Sequence, residues 1–176
     1  MIRKSSSMTD LILSSLHNGV FTITLNYPAK MNCMGFEMLE GLNDAINFAK
    51  KSEDVKVIVI TGAGEKAFSS GANIKEFKAL KGIEITRWIE FGNGINNNIE
   101  TISKPTIAYI NGYAMGGGLE LALACDFRLA SKNQSKKVLE ITYEKLVSID
   151  FNHNSASAIV DSSLTSVVGK NMGKIS

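Results

Sequence analysis

The run VKVIVIT, from Val55 to Thr61, constrains the fold more than any other stretch. It is β-branched and nearly all apolar, so it reads as a strand covered on both faces. Such strands belong to parallel sheets, whose neighbours are joined by crossover connections. The rest of the chain supplies both parts. Val20 to Asn26 alternates Phe21, Ile23 and Leu25 with Val20, Thr22 and Thr24, the pattern of a half-buried strand that Pro28 ends. Leu39, Leu42, Ala45, Ile46 and Ala49 recur at helical spacing between Phe36 and Lys50. Trp88, Gly92, Ile95, Ile99 and Ile102 do the same between Glu84 and Ile102. Pro105 marks the exit of that helix, and Thr106 to Ile110 is a second buried strand. A helix from about Gly117 to Ala124 and a short strand from Phe127 to Ala130 follow. Strand and helix alternate, so the class is α/β with crossover connections. No internal repeat is visible.

The chain has 176 residues, enough for one domain with a single core. Its net charge is only +2, with no basic patch alternating with aromatics, which gives no case for nucleic acid or a membrane surface. Cys33 and Cys125 lie in apolar contexts and read as reduced thiols. There is no CxxC, and His17 and His153 are isolated, so no metal site is expected. The opening MIRKSSSMTD lacks the apolar core of a secretory signal and is short for an organelle presequence; Met8 is an alternative start. No apolar run approaches the roughly 20 residues of a membrane span. The cytoplasm is the expected compartment, with a mitochondrial origin left open. After Ser131 the composition shifts: residues 132–176 are serine-rich and hold only two aromatics, Tyr143 and Phe151, and beyond Val147 the pattern fades and no structure is assigned. Leu139 to Val147 reads equally as helix or strand.

GYAMGGGLELALACD, from Gly112 to Asp126, carries the chemistry. A glycine-rich turn lets backbone N–H groups approach a ligand closely. The helix that follows adds unpaired N–H donors and a partial positive charge at its start. Together they favour an anion, or an oxygen that becomes anionic during reaction. Gly117 lies where such a donor belongs. Glu120 follows about one turn later, and helical side chains lean back toward the N-terminus, so its carboxylate reaches the space before those donors. The helix is apolar nearly all round, which suggests that Glu120 is buried and suited to proton transfer. Two plainer readings stay open here: a glutamate favoured by the dipole, and glycines that only permit tight packing. The loop has neither the GxGxxG spacing of a dinucleotide site nor a Walker lysine. A second loop, AFSSGANIKEF from Ala67 to Phe77, also follows a buried strand and also turns at glycine. Two such loops can each give one N–H to a single oxygen. Two donors and a carboxylate are what an enolate-forming enzyme needs.

These two loops, with KPTIAYINGYAMGGGLELALACDFRLAS and the opening GVFTITLNYPAKMNCM, resemble the enoyl-CoA hydratase/isomerase (crotonase) family over about residues 11–131. The resemblance divides the chain into an N-terminal extension at 1–10, a crotonase-like core at 11–131 and a divergent C-terminal segment at 132–176. It implies the ClpP/crotonase superhelix of repeated ββα units, incomplete at the C-terminus. By the same resemblance, Ala72 and Gly117 match the oxyanion-hole donors that polarise a thioester carbonyl. Ala72, Asn73, Ile74 and Lys75 match the substrate-contact loop, with Asn73 where aspartate is more usual. Lys30 and Met31 fall where the family contacts coenzyme A. Glu120 matches the first catalytic glutamate. Glu140 stands at the spacing of the second, although Lys136, Lys137 and Leu139 replace the usual Phe, Gly and Pro around it. The implied activity is that of a hydratase-type lyase, adding water to the double bond of an enoyl-CoA, or shifting that bond, through a stabilised enolate. No cofactor is implied beyond the coenzyme A of the substrate, and the implied assembly is a homotrimer or hexamer. Two alternatives remain: a truncated or frameshifted crotonase-like chain without catalysis, and a scaffold that binds acyl-CoA or a partner.

Overall fold

The computed structural model describes residues 10–131 and, beyond them, the backbones of four short strands at 139–142, 158–161, 165–168 and 172–175. The first hairpin joins β1 (Ile12–His17) to β2 (Val20–Leu25). Its two-residue turn is Asn18-Gly19, with φ of 48° and 82°. Positive φ at both positions matches the right-handed twist of the strands, which is why Asn-Gly suits it. A short 3-10 turn at Pro28–Lys30 leads to α1 (Phe36–Lys51). Then come β3 (Val57–Gly62), β4 (Ala67–Ser69), α2 (Ile74–Ala79) and α3 (Ile83–Thr101). The next elements are β5 (Thr106–Ile110), β6 (Tyr113–Ala114), α4 (Gly117–Ala124) and β7 (Phe127–Ser131). The backbone strands are β8 (Leu139–Thr142), β9 (Ala158–Asp161), β10 (Thr165–Val168) and β11 (Met172–Ile175).

The main sheet runs in the order β1-β2-β3-β5-β7-β11-β10. Its centre, β2-β3-β5-β7, is parallel, and antiparallel pairs flank it on both sides. One face of that centre is buried: Phe21, Ile23, Leu25, Ile58, Ile60, Ala108 and Ile110 form one cluster with Met38, Leu42 and Ile46 of α1, Ile95 and Ile99 of α3, and Leu121 of α4. The other face corrects the reading of VKVIVIT as covered on both sides. Val57, Val59 and Thr61 are only half-buried, as is Ile107, and Tyr109 is exposed. The side chains of α1, α3 and α4 that join the core cluster all meet the first face, so among the described residues the second has thinner cover.

Two small parallel sheets stand apart, β4 with β6 and β8 with β9. The first matters for function. In it Ala67 pairs with Tyr113 and Ser69 with Ala114, so the chain leaves β4 and β6 side by side and in the same direction. The two glycine loops of the sequence therefore start as neighbours.

Candidate active site

The loop after β4 is held along one edge. Met34 N–H donates to Gly71 O at 2.7 Å, and Asn73 N–H donates to Met34 O at 2.8 Å. This is a one-residue parallel bridge between Met34 and Ala72. Such a bridge uses the groups on either side of residue 72, so the Ala72 N–H points away from it. Behind it, Ser69 Oγ donates to Asn32 O and accepts from Gly71 N–H. The buried Asn32 side chain accepts from Tyr27 N–H and donates to Ala63 O and Ala67 O, tying the early loop to β4.

The loop after β6 comes in beside it. Met115 N–H donates to Ser69 O at 3.0 Å. Gly118 N–H donates to Met115 O, and the Leu119 and Glu120 N–H groups both turn to Gly116 O. Gly117 is the first residue of α4, so its N–H has no partner within the helix. Gly71 (φ 86°) packs so closely here that a Cβ would stand 3.0 Å from Gly117 N and 2.6 Å from Met115 O. A Cβ on Gly117 would lie 4.0 Å from Ala72 N. The structure thus brings the residue 72 and 117 amides together.

Both residues line one cavity of about 390 Å³, and among the described residues Glu120 is the one titratable side chain in its wall. The remaining wall is mostly apolar, from Met34 and Leu39 to Ile74, Phe77, Trp88 and Ile95. Phe77 and Trp88 meet edge to face at 5.4 Å. Sequence reading missed this wall. Trp88, Gly92 and Ile95 share the helical spacing of α3, but Trp88 and Gly92 are only half-buried, and that half-burial leaves a cavity beside them.

Glu120 itself is exposed, which corrects the expectation that the α4 helix is buried all round. Leu121 and Ala122 are buried, but Leu123 is 58% exposed. The apolar composition of α4 exceeds what the described residues cover. Of the other expected contacts, Ile74 is in the cavity wall and Asn73 and Lys75 are not. Asn73 caps α2 instead, its Oδ1 accepting from Lys75 N–H. Lys30 and Met31 are exposed and outside the wall, yet Met31 O accepts from Ser70 N–H, one residue before Gly71. Glu140 lies in β8, opposite Ile159 of β9; its side chain lies outside the described residues, as do Lys136, Lys137 and His153. Cys33 and Cys125 are both free thiols.

Comparison with known proteins agrees with this architecture. Residues 15–143 match the model of the enoyl-CoA hydratase/isomerase family. A short-chain-enoyl-CoA hydratase of Clostridium acetobutylicum is 38% identical over 114 residues, covering 65% of this chain and 44% of that protein. A crotonyl-CoA hydratase of Syntrophomonas wolfei is 38% identical over 109 residues, covering 62% and 42%. The solved enoyl-CoA hydratase of Bacillus anthracis superposes with a TM-score of 0.65 at 32% identity, over 69% of this chain and 50% of that one. The fold is the crotonase α/β architecture, and the chain belongs to the enoyl-CoA hydratase/isomerase family. It spans a little under half the length of these two hydratases. Residues 123–176 also match the model of the C-terminal domain of glyceraldehyde 3-phosphate dehydrogenase, overlapping the first match at 123–143. No helix among the described residues is long and apolar enough to cross a membrane.

Proposed function

We propose that this chain binds an enoyl-CoA thioester and adds water across its double bond, or shifts that bond, through an enolate. The observation that carries the proposal is the single cavity shared by Ala72, Gly117 and Glu120. In this reading the thioester oxygen accepts from the residue 72 and 117 N–H groups. Water oxygen bonds to C3 and gives its proton to a carboxylate. The C2–C3 π electrons move toward the thioester, and the oxygen takes the negative charge that the two N–H groups stabilise. Collapse of the enolate returns the electron pair to C2, which takes a proton from a carboxylic acid. Glu120 fills one of these two roles and Glu140 the other. In the same reading residues 72–75 flank the acyl thioester and Lys30 and Met31 the coenzyme A portion, and because coenzyme A is part of the substrate no separate cofactor enters the scheme. A trimer or hexamer, as the family resemblance implies, belongs to the same reading, and sedimentation decides it.

The test follows the conjugated enoyl-thioester absorbance in the full chain. Glu120→Gln is expected to slow its loss by 10²-fold or more, about what a positioned proton-transfer group contributes. Unchanged turnover removes Glu120 from the chemistry. A second reading, an acyl-CoA-binding scaffold without turnover, is favoured by the handover between two family matches at residues 123–143, the stretch that contains Glu140. Calorimetry that shows thioester affinity without absorbance loss selects it.

A further inference from the structure

The segment that presents the Ala72 amide has little packing to fix it. α2 buries none of its residues, and Ile74 at its start is 58% exposed. The Met34–Ala72 bridge is a single residue long. A polar clamp does the rest. Glu76 Oε2 accepts from Phe36 N–H at 3.0 Å, and Glu76 Oε1 accepts from Asn73 Nδ2 at 2.6 Å. Phe36 is the first residue of α1, and its N-cap, Gly35, has no side chain to satisfy the helix's free amides. Glu76 therefore caps α1 from another element. Glu76 itself belongs to the first turn of α2, so one side chain ties the starts of the two helices together. A Cβ on Gly35 would collide with both Glu76 carboxylate oxygens, so the clamp closes only because position 35 is glycine.

We propose that Glu76 is a positioning residue for the oxyanion hole: by joining Asn73 to the start of α1, it fixes the direction of the Ala72 N–H. This inference rests on reading residues 72 and 117 as the oxyanion donors. The carboxylate does not line the cavity, so it acts through the loop and not on the substrate.

The probe is a 3-oxoacyl-CoA, whose enolate absorbs in the near ultraviolet, titrated by pH in the presence of the full chain. Coenzyme A alone measures binding that needs no oxyanion hole. Glu76→Ala is expected to weaken enolate binding about tenfold, the worth of one charge-assisted hydrogen bond. The pH midpoint of the bound enolate rises, coenzyme A affinity stays within twofold, and exchange of the Phe36 and Asn73 amides accelerates. Glu76→Gln keeps one carbonyl acceptor and falls between. Gly35→Ala keeps Glu76 but drives its carboxylate off Phe36, and is expected to reproduce the loss. An unchanged enolate midpoint in Glu76→Ala, or equal losses of enolate and coenzyme A affinity, overturns the proposal. If the unsubstituted chain raises no enolate absorbance at all, the oxyanion-hole reading fails. The clamp is then judged on the Phe36 and Asn73 amides alone: faster exchange in Glu76→Ala keeps it, and unchanged exchange ends it.

Discussion

Cys125 ends α4, and its thiol is a sensor of how tightly that end is held. Sγ donates to Leu121 O at 3.5 Å in a buried site. Around it, Arg128 Nη1 donates to Cys125 O at 2.7 Å, and Asp126 Oδ2 accepts from Thr106 N–H at 2.8 Å. Burial pushes the thiol from 9.0 up to about 12; the Asp126 charge adds to this, while Arg128 and a hydrogen bond from Thr106 oppose it. The sign follows from linkage. The folded state holds the proton more tightly than the unfolded chain, so this stabilisation is complete below pH 9 and is lost as pH rises toward 12. Cys125→Ala is expected to cost about 1 kcal/mol at pH 8, from the atoms it deletes in the core. Its deficit should shrink by pH 11, and denaturant unfolding at the two pH values measures this. A constant deficit would mean that the thiol is not protected. At this scale the sequence gives residue types well and burial poorly. Glu120 stands among leucines and alanines, yet whether those neighbours enclose it depends on other elements, and the described ones leave it exposed.

Elements were legible wherever one side chain pattern decides them. The α1 and α3 stripes and β2 repeat at their own period over several turns or residues. β1 was not read, because only Ile12 of its six residues is buried and alternation is faint; the Asn18-Gly19 turn was its usable signal. β4 and β6 were not read either. They have three and two residues, too few to show a period, and their pairing is long-range. Yet this small sheet is what sets the Ala72 and Gly117 loops side by side. Gly71→Ala tests that geometry. The new Cβ meets Met115 O and Gly117 N at a φ of 86°, so a loss of about 1–3 kcal/mol is expected, with thioester binding lost as well. Gly19→Ala carries the same backbone strain at φ 82°, but in the β1–β2 hairpin away from the cavity. It should lower the melting temperature and leave thioester affinity intact. Equal effects of the two on affinity would show that Gly71 has no special place at the site.

The whole molecule is a crotonase-type sheet whose C-terminal strands come from a stretch that resembles another family. The two matches overlap at residues 123–143, and β7 lies within that overlap. β7 has Ile107 to Ile110 of β5 as parallel partners on one edge, and on the other it pairs antiparallel with β11, Gly173 opposite Ala130. The second pairing gives β7 an edge partner, which removes a row of free backbone groups that would otherwise invite association between chains. This is a backbone solution and needs no matching side chains, so it suits the stretch where the two family matches overlap. It also explains why composition after Ser131 gave no warning of it: strand pairing across such a distance leaves no local period. Gly173→Pro removes a backbone donor and fixes φ in β11. Exchange of the β7 amides that face β11 should then accelerate, while the β3 amides of Ile58 and Ile60, two strands away, keep their protection. Thioester binding should persist, because no residue of β7 lines the cavity. If β7 exchange does not change, the C-terminal strands do not complete this sheet in solution, and the core ends at β7.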